Sequence, residues 1–371
     1  MFRCGSSLMV LTLLAWSPAY AEQPAEKPAA EPDVLTRISK LSVHGYLTQA
    51  YAISDEHQFI GIPTDGTLDY RTAALQIRYN ISPRHLLIFQ FSHERLGDSP
   101  YAETRDELEV DWLFYQQNFS GETSVKLGRV PIPAGIYNEI RDVGTILPFY
   151  RPPSVIYLER MFISETLDGM VLSRTFLPRS AWSLETDLYY GEWESVTETV
   201  RPADIDHAVG TQLWLNTPID GLRFGLGGRH YDVSRPDRRR ENTFDQWIVS
   251  VDADFARVVV RGEYDRVRFF EAERIAYYGQ IGVRATEKWS IFFQAEHSEH
   301  DFTMSSVGPL KLDTNEDFAV GLAYAVLPDV VWKLETHWNE GYEAEDLPPD
   351  APYVSEPFDA RYAILSLSAS F

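Results

Sequence analysis

Apolar and polar residues alternate with a period of two along most of this chain, from Leu41 to its end. In "HLLIFQFSHE", Leu87, Phe89 and Phe91 alternate with Ile88, Gln90 and Ser92. In "RIAYYGQIGVRA", Ile275, Tyr277, Gly279, Ile281 and Val283 alternate with Ala276, Tyr278, Gln280, Gly282 and Arg284. In "KWSIFFQAEHSE", Trp289, Ile291, Phe293 and Ala295 alternate with Ser290, Phe292, Gln294, Glu296 and Ser298. That is the side-chain period of a β-strand with one apolar face and one face that tolerates charge. Such segments predict sixteen strands, at 41–52, 68–80, 85–95, 107–118, 123–130, 166–176, 180–192, 207–217, 221–232, 243–254, 257–268, 274–286, 288–300, 315–326, 329–341 and 360–371.

The connections sort by parity. Even-to-odd links are tight turns such as "SPR" at 82–84, "SGE" at 120–122, "LPR" at 177–179 and "PD" at 328–329. Odd-to-even links are generally longer and more polar, as at 53–67, 96–106, 131–165, 192–206 and 341–359. Short turns on one side and long loops on the other are expected of a transmembrane antiparallel β-barrel. In hydrocarbon every backbone group must find a partner, so the sheet must close. The apolar register then meets lipid, and aromatics near strand ends (Trp182, Tyr190, Trp289, Tyr324, Trp332, Trp338) fall where interfacial girdles belong.

The opposite register then lines the lumen. It carries Arg78, Lys126, Arg223, Arg229, Arg257, Arg261, Arg284 and Lys333, together with Glu94, Glu109, Asp111, Glu185, Asp187, Asp252, Asp254, Glu263, Asp265, Glu296 and Glu335. The long connection 131–165 supplies the constriction candidates Glu139, Arg141, Asp142, Arg151, Glu159, Arg160 and Glu165, with Tyr137, Phe149, Tyr150 and Tyr157 available to pack it on the wall. Each of these charges has a second reading, as an ion pair that merely holds the loop.

Composition narrows the class. The 371 residues carry a formal net charge of -22, which disfavours a nucleic-acid partner. No internal stretch is apolar enough for a membrane helix. "MFRCGSSLMVLTLLAWSPAYA" places Arg3 before an apolar run and ends on Ala19-Tyr20-Ala21, the order of an export signal cleaved after Ala21. Residues 22–40, rich in Pro, Ala and Glu at their start, read as a flexible periplasmic lead-in, and 41–371 as the barrel. Cys4, the single cysteine, lies in the leader, so the mature chain is expected to hold no disulfide or cysteine-ligated metal. No cofactor fingerprint or G-x-S-x-G elbow occurs, and His297 and His300 point to opposite faces of one strand, which gives no metal assignment. The run "RPDRRR", 235–240, falls in an external loop suited to lipopolysaccharide phosphates or to solvent.

Two stretches carry a resemblance. The ending "YAILSLSASF", with Leu365, Leu367 and Phe371, resembles the terminal strand of Gram-negative outer-membrane proteins, which implies recognition by the barrel assembly machinery. Ala369 departs from that pattern, where a larger residue is common. "VKLGRVPIPAGIYNEIRDVGTILPFYRPPSVIY", Val125 to Tyr157, is similar to the passage into the inward third loop of sixteen-stranded porins related to phosphate-selective porins. The shared features are Gly128-Arg129, Pro131, Pro133, Gly135, Tyr137-Asn138 and Arg141-Asp142. The resemblance implies a trimeric outer-membrane porin with its third loop folded inward. The mixed lumen charge does not match the uninterrupted basic ladder of a strict phosphate channel. The expectation is therefore a passive pore for small hydrophilic solutes. A structural anchor or adhesin, or an outer-membrane hydrolase, remains as the alternative.

Overall fold

The computed structural model describes residues 40–99, 108–157, 164–196, 202–234, 242–269, 272–304, 308–341 and 357–371. The export-signal and lead-in segments up to Ser39, Glu159 and Arg160, and the basic run 235–240 lie outside the described residues. Lys40–Phe371 forms one compact unit. It contains sixteen strands: β1 (Leu41–Ser54), β2 (Thr67–Ser82), β3 (His85–Leu96), β4 (Glu109–Ser120), β5 (Thr123–Pro131), β6 (Thr166–Phe176), β7 (Ser183–Val196) and β8 (Pro202–Asn216). They continue with β9 (Leu222–Ser234), β10 (Asn242–Asp254), β11 (Val258–Phe269), β12 (Ala272–Arg284), β13 (Trp289–Met304), β14 (Gly308–Leu327), β15 (Val330–Gly341) and β16 (Phe358–Ser370). Each pairs antiparallel with its sequence neighbours, and β1 pairs with β16 from Tyr46↔Ser370 to Ser54↔Tyr362, closing the barrel.

Burial is inverted relative to a water-soluble core. Leu47, Leu188, Leu226, Ile281, Phe293, Leu334 and Leu365 stand exposed on the outer face, while Gln90, Gln212, Ser250, Gln280, Gln294, Ser366 and Ser368 are buried inside. A buried polar set under an exposed apolar belt is the informative sign here, because single exposed leucines are ordinary. Trp289, Tyr324 and Trp332 form a registered row on the outer face near the short turns, with Trp289 and Tyr324 rings 4.6 Å apart. Phe371 leaves its ring outside, over Gly45, and its backbone exchanges hydrogen bonds of 3.0 and 3.1 Å with that glycine. The last residue therefore seals the β1–β16 seam.

Two strands begin earlier than their alternation suggests, for one reason. In β8 a register shift lies between Asp206 and Val209, and His207 takes a positive φ of 52°. In β14 a shift occurs opposite Ser298/Glu299, between Asp313 and Asn315. An extra residue in one strand breaks the period of two, so the pattern becomes readable only past the bulge. β7 begins at Ser183, three residues later than 180, because 177–182 form the turn after β6. Arg257 likewise sits in the β10–β11 turn rather than on the inward register of β11. The long-loop rule has limits too: the β11–β12 and β13–β14 links span only 270–271 and 305–307, because those hairpins stay paired almost to their tips.

Two connections fold inward. Phe59, Ile60 and Ile62, between β1 and β2, pack on inward-facing Ala50, Ala52, Tyr70, Tyr362 and Ile364. Gly61 makes the turn possible with a φ of +73°, where a Cβ would meet the Leu96 carbonyl oxygen at 1.8 Å. The second is the stretch from Ile132 to Tyr157 between β5 and β6, with a 3-10 turn at Asn138–Ile140 and one helical turn at Ser154–Tyr157.

Candidate functional site: the lumen and its inward loop

The inward loop is fastened to β10–β16 through its own backbone. Glu263 of β11 accepts from the Ile136 amide at 2.9 Å, from Ser250 at 2.6 Å and Tyr278 at 2.8 Å, and from the Tyr157 hydroxyl. Glu296 of β13 accepts from the Val155 amide at 3.0 Å and Ser154 at 3.2 Å. Glu335 of β15 accepts from the Tyr150 amide at 2.7 Å, and Lys333 donates to the Phe149 carbonyl at 2.6 Å. Arg274 of β12 donates to the Val155 carbonyl. Loop amides and carbonyls have no sheet partner, so wall side chains of both signs supply one. Burial raises the Tyr137, Tyr150 and Tyr157 phenols above their ordinary value, so each stays neutral and can act as a donor. At the far end Gly144 lies flat on the β1–β16 seam, where a Cβ would be 2.2 Å from Thr48 Oγ1 and 2.5 Å from Ser368 Oγ.

Between these anchorages the stretch Glu139–Val143 faces β1–β4 across a cavity of about 230 Å³. Its wall presents Tyr46, Ala74, Gln76, Gln90 and Trp112, while the loop and the residue just before β6 present Glu139, Arg141, Asp142 and Glu165. Carboxylate oxygens of Asp111, Asp142 and Glu165 lie within 4.8 Å of one another. Gln90 donates to Asp111 at 2.5 Å, and the Trp112 indole donates to Glu165 at 3.3 Å. The Glu165 carbonyl accepts from the Ile132 amide at 2.8 Å and from Asn138 at 3.1 Å, which fixes the loop's two stems together. Lys126 of β5 stands 3.5 Å from Glu139.

The sequence candidates therefore separate. Glu139, Arg141, Asp142 and Glu165 meet at the cavity. The Arg141 guanidinium also donates to the Tyr157 carbonyl, so it braces the loop. Arg151 lies elsewhere, 5.3 Å above the Tyr70 ring near the first inward loop. Among the strand residues, Glu263, Glu296, Lys333 and Glu335 hold the loop. Arg223 and Arg261 both bind Asp252, at 2.8 and 3.0 Å, and Arg261 also donates to the Tyr137 hydroxyl at 3.1 Å. Arg284 pairs with Asp254 at 2.7 Å beside the short turns. Arg78 is solvent-exposed and donates to Asn80 at 3.3 Å. Asp265 accepts from Gln246 at 2.6 Å and faces Arg274 at 3.5 Å, while Arg229 donates to Gln246. Tyr46, Gln76, Gln90 and Trp112 were not among the candidates. Their inward register is legible, but their place opposite the loop tip depends on where a distant segment docks.

No known family pattern and no curated protein matches this chain. Solved structures do resemble it. The anion-selective porin of Comamonas acidovorans matches at 9% identity and TM-score 0.58, covering 89% of this chain and 99% of that one. The outer-membrane channel DcaP of Acinetobacter baumannii matches at 8% identity and TM-score 0.59, over 89% and 97%. A trimer form of OmpT, an outer-membrane protein of Vibrio cholerae, matches at 9% and 0.59, over 89% and 99%. At such identities the likeness speaks to the fold, a closed sixteen-stranded antiparallel barrel shared with outer-membrane porins.

Proposed function

We propose that this chain is an outer-membrane porin that passes small hydrophilic solutes by diffusion, with its narrowest point between Glu139–Val143 and the β1–β4 wall. The observation that carries this reading is the pinned loop, which crosses a polar interior and leaves the 230 Å³ cavity beside its tip. Three clustered carboxylates, with Glu139 beside them, outnumber Arg141 and the Lys126 that stands 3.5 Å from Glu139, so the local field favours cations. No bond is made or broken in this mechanism. The outer apolar belt and aromatic row suit lipid and lipopolysaccharide. Residues 1–21 serve export, Phe371 serves recognition by the assembly machinery, and trimerisation follows the porin likeness. Liposome swelling tests the reading: vesicles holding the folded protein should swell in small sugars and amino acids, and progressively more slowly as solute size rises. Swelling no faster than in protein-free vesicles would remove the pore.

A further inference from the structure

A second part of the interior has a different chemistry. On β7, β9, β10 and β11 the inward faces carry a row of rings: Trp193, Tyr231, Phe244 and Phe269, with successive centroids 5.6, 5.3 and 5.1 Å apart. The Tyr231–Phe244 and Phe244–Phe269 pairs are stacked at interplanar angles of 12° and 10°. Arg229, one inward step below Tyr231, lies 5.9 Å from the Trp193 ring and 5.6 Å from the Tyr231 ring. Packing alone would explain rings under a loop. It does not explain the polar atoms among them.

Trp193 Nε1, Tyr231 Oη and Arg229 Nη1 are all buried, and no described residue offers any of them a hydrogen bond. Their residues are 5%, 0% and 7% exposed. Buried polar side-chain atoms nearly always have partners, and one left without a partner is costly. The three residues are neighbours, with the Arg229 guanidinium carbon within 5.9 Å of both ring centroids, and one of the three potential donors is cationic. We infer that this row is a binding site for a monoanionic solute carrying a carboxylate on a flat apolar body. The carboxylate would accept from Arg229 Nη1, Tyr231 Oη and Trp193 Nε1, and the body would lie along Phe244 and Phe269.

The charge balance selects a monoanion. Arg229 already donates through Nε to Gln246, and Gln246 in turn donates to Asp265 at 2.6 Å. A dianion beside Asp265 would meet one nearby carboxylate with little cationic compensation beyond Arg229 and Arg274. Phe269, the partly exposed end of the row, is where such a solute would first make contact. Val130, Ile132 and Ala134 belong to the same apolar cluster, so full engagement displaces packed side chains while the Ile132 backbone stays held by the Glu165 carbonyl. The inference concerns binding and stands apart from conduction: a barrel that conducts nothing could still bind here, and a pore could lack the site.

The test is calorimetric titration of the full chain, folded in detergent, with benzoate, acetate and benzyl alcohol. Benzoate should bind saturably, and at least about tenfold more tightly than either control, because only it offers both ring and charge. Tyr231→Phe and Trp193→Phe delete the donors while keeping a ring, and each should weaken benzoate several-fold. Arg229→Gln should weaken it by about tenfold or more. Without benzoate, Tyr231→Phe should melt no lower than wild type, since it removes a buried hydroxyl that lacks a protein partner. Benzoate binding no tighter than acetate would overturn the proposal, as would an affinity that both ring-conserving variants leave unchanged.

Discussion

The two halves of the barrel interior use the same residue types for opposite purposes. On the β10–β16 half, Glu263, Glu296, Glu335 and Lys333 are buried against loop amides and carbonyls, and none is left to face a passing solute. On the β1–β5 half, the carboxylates of Asp111, Asp142 and Glu165 gather beside the cavity and remain partly exposed. Counting inward charges therefore says little about a pore's field. What decides it is which charges are buried against the loop and which stand partly exposed at the cavity. A carboxylate that receives two or more buried donors is a structural anchor, while one at a cavity is an electrostatic element.

Breaking the anchored half should have the largest effect. Glu263→Ala with Glu296→Ala leaves two loop amides and several hydroxyls without their acceptor. It should cost ~3 kcal/mol or more of stability, at ~1.5–3 kcal/mol for each bond to a charged group. Thermal melting of the folded barrel reads this loss, and single-channel recording should show larger, noisier steps as the loop loosens. Gly135→Ala acts on the same anchorage more gently. Its φ is +61°, and a Cβ there would stand 2.3 Å from the Tyr157 hydroxyl and 2.7 Å from Glu263. A loss of about 1–3 kcal/mol is expected from the overpacking, with the Tyr157–Glu263 bond broken.

Changes on the open half should leave stability nearly alone and move selectivity. Asp111→Asn, Asp142→Asn and Glu165→Gln together should lower cation preference by roughly twofold per charge, taking about 0.5 kcal/mol for a unit charge 8 Å from the solute path in water. Arg141→Ala should move preference further toward cations by about the factor of one carboxylate, and the smallest selectivity change should come from Arg151→Ala, because Arg151 lies on Tyr70 away from the cavity. A drop in anion permeability larger than the carboxylate effect would reverse the roles assigned to these groups.

The strands were legible because a period of two survives wherever one face is apolar, as in Trp289 to Ser298. It failed locally at His207 and near Thr314, where bulges shift the phase. The inward loop was legible through its likeness to porin third loops. The work done by Glu296 was not, because its partner amide, Val155, lies 141 residues away and becomes a neighbour only after barrel closure. Nor could alternation show that Phe59, Ile60 and Ile62 turn into the mouth, since a short apolar patch in a loop carries no direction. The ring row from Trp193 to Phe269 was hidden for a related reason: inward aromatics on four strands look like unrelated polar-face exceptions until register aligns them.

The most direct measurement of the central claim is the reversal potential of the protein in a planar bilayer under a potassium chloride gradient. Discrete conductance steps are predicted, with a reversal potential of the sign that marks potassium as the more permeant ion. The triple carboxylate variant should bring that potential toward zero. Absence of steps from correctly folded protein, or a reversal potential of the chloride-selective sign, would contradict the account of an acid-lined passage beside Glu139–Val143.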